Sequence, residues 1–83
     1  YSALIEDVNL LDTLPDKCSA KFRYRQQDND VYTEILDNGN ILVKYPQGVK
    51  SVTEGQACVF YNGNECLGGG IIKEVYDKQG VRI

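Results

Sequence analysis

The sequence contains no histidine, and its three cysteines, Cys18, Cys58 and Cys66, include no C-x-x-C pair. An odd cysteine count argues against a disulfide framework, and the missing histidine with scattered thiols argues against a zinc site. No phosphate-binding loop is present either. The glycine run Gly68-Gly69-Gly70 is followed by Ile71-Ile72, where such a loop needs Gly-Lys-Ser/Thr and the start of a helix. No apolar run approaches the ~20 residues that cross a bilayer as a helix. The opening YSALIEDVNLL lacks the basic start and long apolar middle of a signal peptide. Acids such as Asp28 and Asp30 fall in a polar turn and read as solvated. An independent enzyme is not expected from such a chain.

What is present fits one small folded domain of 83 residues, 42% hydrophobic and 25% charged, with formal net charge -3. The acidic balance argues against a strong free-standing RNA binder. The cysteines are expected to be small buried hydrophobes in a reducing compartment. Cys18, with cations nearby, and Cys66, before the glycine run, are the secondary candidates for thiolate chemistry.

Turn signals are dense while helical periodicity is nearly absent. Asn38-Gly39 is a pair that supplies positive φ to a two-residue hairpin turn. Asn62-Gly63 separates ACVFY from NECLG, and DKQG at Asp77 to Gly80 separates IIKEVY from VRI. Three hairpins predict an antiparallel all-β domain. Strands are expected at Ala3 to Leu11, Cys18 to Arg25, Val31 to Leu36, Ile41 to Tyr45, Ala57 to Tyr61 and Glu65 to Tyr76, with Val81 to Ile83 as a short terminal strand. LIEDVNLL competes as a helix because its apolar residues fall at mixed spacings. About six short strands predict a small closed antiparallel β-barrel, with a β-sandwich as the alternative.

Two stretches break simple alternation. Ala57 to Tyr61 is apolar on both faces, so its outer face should meet a neighbouring domain or a loop of this one. The triple glycine predicts a bulge or sharp barrel corner rather than a ligand loop.

CSAKFRYRQ, Cys18 to Gln26, divides cleanly by the two-residue period of a strand. Cys18, Ala20, Phe22 and Tyr24 form one side, a core face. Ser19, Lys21, Arg23 and Arg25 form the other, with successive cations roughly 6.6 to 7 Å apart. Three roles suit such a row. It is a solvated face whose cations discourage edge pairing, a partner for Glu34, Glu6 or Asp7, or a strip that tracks nucleic-acid phosphates. In the last case Tyr24, Gln26 and Gln27 add base or sugar contacts.

CSAKFRYRQ, followed by SVTEGQACVFYNGNECLGGGII, resembles the C-terminal domain of the tRNA-specific 2-thiouridylase family, and DVNLL is similar to its DVNW segment. The resemblance extends to Ile72. It implies a small β-barrel that helps hold tRNA, as the C-terminal part of a larger cytoplasmic enzyme that thiolates the wobble uridine at position 2. The candidate tRNA-binding residues are then Lys21, Arg23, Tyr24, Arg25 and Gln26. No catalytic residue and no cofactor are expected in residues 1–83. ATP belongs to the parent enzyme's nucleotide-binding domain, and the sulfur-handling cysteines to its earlier domains. The implied partners are tRNA, the nucleotide-binding and central domains, and a sulfur-relay donor protein, with no membrane. Glu54 stands where the family commonly has Pro, and the tail KEVYDKQGVRI runs past the family pattern without an assigned role.

Overall fold

Six strands form in the computed structural model, which describes residues 1–22, 29–45 and 52–83, and none of these residues is helical. They are β1 (Ser2–Leu10), β2 (Lys17–Lys21), β3 (Asn29–Ile35), β4 (Ile41–Lys44), β5 (Ala57–Asn62) and β6 (Glu65–Tyr76). They close into an antiparallel barrel in the order β1-β4-β3-β2-β5-β6, with β6 pairing back onto β1. The strands β2, β3 and β4 run as a meander, and β1 returns beside β4, which is a Greek-key arrangement. Closure settles the fold as the expected barrel rather than a sandwich. Described β2 ends at Lys21, and the last three residues of the expected strand Cys18 to Arg25 lie outside the described residues. Asp30 belongs to β3 rather than to a turn, because β3 begins at Asn29.

The β3–β4 connection differs from the expected two-residue turn. Leu36 N–H donates to the Asn40 carbonyl (2.8 Å) and Gly39 N–H to the Leu36 carbonyl (2.9 Å), so the loop spans Asp37, Asn38 and Gly39. Positive φ falls on Gly39 alone, at 88°, as a three-residue hairpin requires. The tail repeats this geometry at Asp77 to Val81. The terminal segment then makes a single bridge, Tyr76 to Arg82, with Ile83 N–H donating to the Val75 carbonyl, rather than a full strand. In the β5–β6 hairpin, Asn62 pairs with Glu65, leaving Gly63-Asn64 as the two-residue turn.

The mixed spacing of LIEDVNLL has a local cause. Between Glu6 and Asn9 the register of β1 on β6 shifts by one residue, and Asp7 takes φ 51° there. Asp tolerates the left-handed region better than most residues, and the extra residue is a bulge. The core face of β1 therefore reads Ala3, Ile5, then Val8 and Leu10, with the two-residue period interrupted once.

The triple glycine is a close approach of β6 to both neighbouring strands, beside the register shift of β5 on β6. A Cβ on Gly69 would strike the Cys58 carbonyl oxygen of β5, and one on Gly70 would lie 2.7 Å from the Ile5 side chain of β1. Only glycine lets β6 approach both neighbours this closely.

Inside, Phe22, Phe60, Ile5, Ile41, Ile72, Val31, Val43 and Cys58 are fully buried. A barrel of so few strands is filled by its own side chains rather than by a ligand. Leu14 in the β1–β2 connection is also buried. The next residues hold the connection to β3: Thr33 Oγ1 donates to the Pro15 carbonyl (2.7 Å) and Thr33 N–H to the Asp16 carbonyl (2.8 Å).

Candidate nucleic-acid interface

The outer face of β2 carries Lys17, Ser19 and Lys21, alternating with buried Cys18 and Ala20. Lys21 is the one predicted contact residue that the described residues include. Arg23, Tyr24, Arg25 and Gln26 lie outside them, as does Gln27. Phe22 is buried, as the core side of CSAKFRYRQ requires. The Lys21 ammonium lies over the Tyr61 ring of β5, 5.3 Å from its centroid.

Lys17, one step before the predicted row, shares its phase. Its ammonium lies over Tyr32 of β3, 5.9 Å from the ring centroid. Register places Tyr32 opposite Lys17 on one side and opposite Lys44 of β4 on the other. Lys44 pairs in turn with Ser2, and Ser2 with Tyr76. A lateral row Lys17–Tyr32–Lys44–Ser2–Tyr76 thus crosses five strands with no acid in it. Alternation within CSAKFRYRQ pointed to Lys21. Lys17 was legible from the same period, whereas Tyr32 and Lys44 join only through strand pairing.

The thiols divide by burial. Cys58 is pushed up to about 12, first by burial and then by neighbouring Cys18, and burial pushes Cys18 up to about 11. Neither is a thiolate near neutrality, which leaves both as packing residues. Cys66 corrects the expectation that all three cysteines are buried: it is exposed. A register shift between Phe60 and Tyr61 against β6 turns Leu67 inward and leaves Cys66, opposite Tyr61, outside. Among the described residues no group of His, Cys, Asp or Glu is arranged to hold a metal.

Two further surfaces flank this face. The outer side of β5 is partly open, with Val59 half-buried and Ala57 exposed. It borders a shallow groove of about 350 Å³ over the triple glycine, lined also by Asn9 and Leu11. Elsewhere, Arg82 Nε and Nη2 donate to the Glu54 carboxylate (3.3 and 3.4 Å), and Arg82 also reaches Glu74, which accepts from the Tyr76 hydroxyl. The tail therefore folds onto its own barrel at the turn that carries Glu54.

The chain belongs to a family of small β-barrel domains, the aminomethyltransferase β-barrel domain, whose pattern matches residues 2–72. It is 53% identical over 60 residues to the tRNA-specific 2-thiouridylase MnmA of Bacillus cytotoxicus. It is 52% identical over 60 residues to the proteins of that name from Bacillus thuringiensis and Bacillus anthracis. Each match covers 72% of this chain and 16% of the relative, so the chain spans about a sixth of the length of these proteins. The family match ends at Ile72, so Arg82 and the closing tail lie beyond it.

Proposed function

We propose that residues 1–83 are a non-catalytic tRNA-binding accessory domain, the C-terminal part of an ATP-dependent enzyme that puts sulfur on position 2 of the tRNA wobble uridine. The observation that carries this is the outer face of β2, where Lys17 and Lys21 alternate with core residues in phase with Arg23 and Arg25 in sequence. The identity to tRNA-specific 2-thiouridylases supports tRNA as the partner in this reading. In this reading ATP, the sulfur-handling cysteines and the sulfur-relay donor engage the nucleotide-binding and central domains, and the whole enzyme works in the cytoplasm.

Closure of the barrel favours the phosphate-tracking role over edge protection. Strand β2 pairs with β3 through Lys17 to Ala20 and with β5 through Ser19 to Lys21, so it is an inner strand of a closed barrel, where edge protection is less needed. The test replaces Lys21, Arg23 and Arg25 by Ala in the full-length protein and follows tRNA affinity across a salt series. Affinity should fall, and the slope of log K against log salt should shrink by about two to three, because each phosphate neutralised by a cation contributes ~0.7–0.9 to that slope. Unchanged affinity and slope would make the row a solvated face.

A second reading, an interdomain structural module, draws on the groove beside Val59 and Gly69. It predicts that charge introduced by Val59→Glu detaches the barrel from the preceding domains, seen as faster proteolysis between them, while tRNA affinity tracks that detachment rather than the cation row.

A further inference from the structure

We infer that the outer face of β3 at Tyr32, between Lys17 of β2 and Lys44 of β4, holds one unpaired RNA base on the tyrosine ring and the two flanking phosphates on the lysines. The inference rests on the tRNA-binding reading and adds a second contact, lateral to the row along β2. Tyr32 is 47% exposed although it sits mid-strand with neighbours on both sides, so its ring stands on the barrel wall facing solvent. Its direct register partners are both lysines. Among the described residues, the ion pairs belong to Arg82 with Glu54 and Glu74, and no carboxylate pairs with Lys17 or Lys44.

Two cations with an exposed aromatic between them combine the two contacts that single-stranded nucleic acid offers, a π-face and the phosphates on either side of it. Neighbouring strands lie ~4.7–4.9 Å apart, so the lysine Cα atoms are separated by about 9–10 Å, and their flexible stems close that span onto one nucleotide. The ammonium of Lys17 now occupies the ring, at 5.9 Å. An exposed cation–π contact is weaker than base stacking, so an arriving base takes the ring and the ammonium turns to phosphate.

Acids define the limits of the patch. Asp30 and Glu34 lie two residues either side of Tyr32 on the same outer face, and Asp16 precedes Lys17. A long backbone track along β3 is therefore repelled, and the site accepts a single nucleotide crossing the strands. Laterally the row continues through neutral Ser2 and Tyr76, which leaves the strand a path around the barrel.

The experiment uses the full-length protein and a short uridine-rich RNA carrying one central 2-aminopurine, whose fluorescence is quenched on stacking. Tyr32→Leu, which keeps apolar bulk on the wall, should weaken probe binding on the order of tenfold and abolish the quench, while Tyr32→Phe binds and quenches like the wild type. Lys17→Ala and Lys44→Ala should each reduce the salt slope by about 0.7. If the β2 row variant loses tRNA but Tyr32→Leu still binds and quenches the probe normally, the stacking site is refuted and the accessory-domain reading stands. If the wild type binds neither tRNA nor the probe, that reading fails and the inference with it. A poly-glutamate peptide that binds with the same dependence on Tyr32 would overturn the inference in favour of an acidic protein partner.

Discussion

Substituting Gly69 separates two ways in which this barrel uses glycine. At Gly69 an added Cβ would strike the Cys58 carbonyl oxygen and lie 3.1 Å from the Val59 Cα, both backbone atoms of β5. Backbone cannot rotate away as a side-chain tip does, so β5 must shift against β6 where Val59 pairs with Gly69. Overpacking of this kind costs ~1–3 kcal/mol, against ~0.4–1 kcal/mol contributed by stiffening the unfolded chain. Gly69→Ala should therefore lose about 1–2 kcal/mol from a domain whose total is ~4–12 kcal/mol. At ~4–8 °C per kcal/mol for this size, thermal unfolding followed by far-UV circular dichroism should fall by roughly 4–16 °C. Gly39 is the control. Nothing lies within 4 Å of its added Cβ, and its φ of +88° is the whole constraint. Gly39→Ala should cost ~1–2 kcal/mol, and Gly39→Asn should recover much of it because Asn tolerates the left-handed region. At Gly69 the order must reverse, with Asn worse than Ala. Gly69→Ala melting at the wild-type temperature, or Gly69→Asn outlasting Gly69→Ala, would refute close backbone approach as the reason for glycine there.

Two further outcomes follow from the thiols. In the folded protein a disulfide-exchange reagent should label Cys66 alone, with Cys18 and Cys58 reacting only after denaturation; rapid native labelling of all three would contradict their burial. Stability should also decline as pH rises above 9. The unfolded thiols ionise at their ordinary value of 9.0, while folding holds Cys18 at about 11 and Cys58 at about 12. In that window the folded state keeps protons the unfolded state has released, so the deeply buried Cys58 removes up to about 1.4 kcal/mol per pH unit and Cys18, nearer solvent, less. The decline continues to the folded values and should be shallower in Cys58→Ala, measured by urea unfolding from pH 8 to 11. An equal slope in the variant would mean Cys58 is not desolvated.

Much of the barrel was written in short-range signals. Asn38-Gly39, Asn62-Gly63 and Asp77 to Gly80 each mark a reversal, and their spacing leaves room only for short antiparallel strands. The turn types were less legible, because Gly39 fits a two-residue and a three-residue loop equally and the neighbouring register decides between them. The bulge at Asp7 concealed a strand as a possible helix, since one inserted residue makes the apolar spacing of LIEDVNLL look irregular. The same effect turned Cys66 outward, a consequence of pairing with Tyr61 that no local pattern encodes. The candidate site was readable along one strand only. Lys21 and its phase follow from alternation, but the meeting of Lys17, Tyr32 and Lys44 is a property of strands 15 residues and 12 residues apart in sequence, brought level by register (32 − 17 and 44 − 32).

Closure is what makes the cations informative. In an open sheet, lysines on an outer strand would be explained by their service against edge pairing, and no ligand would be needed. Here β4 is paired on both sides at Lys44, to Tyr32 and to Ser2, so edge protection does not explain that cation, and Lys17 shares its lateral row through Tyr32. Nor is their charge offset, since the two lysines stand in one lateral row as like charges and the described carboxylates that form ion pairs engage Arg82 instead. The acids that give the domain its net charge of -3 are compatible with this, because they bracket the patch rather than fill it. Such a surface binds weakly on its own. On the proposed tRNA-binding reading, tethering to domains that hold the RNA would present the nucleotide at an effective concentration in the millimolar range, and a one-base contact would then contribute affinity and register together. That reading would demand few cations, placed where the sheet carries an aromatic between them, and register puts Tyr32 between Lys17 and Lys44 in that way.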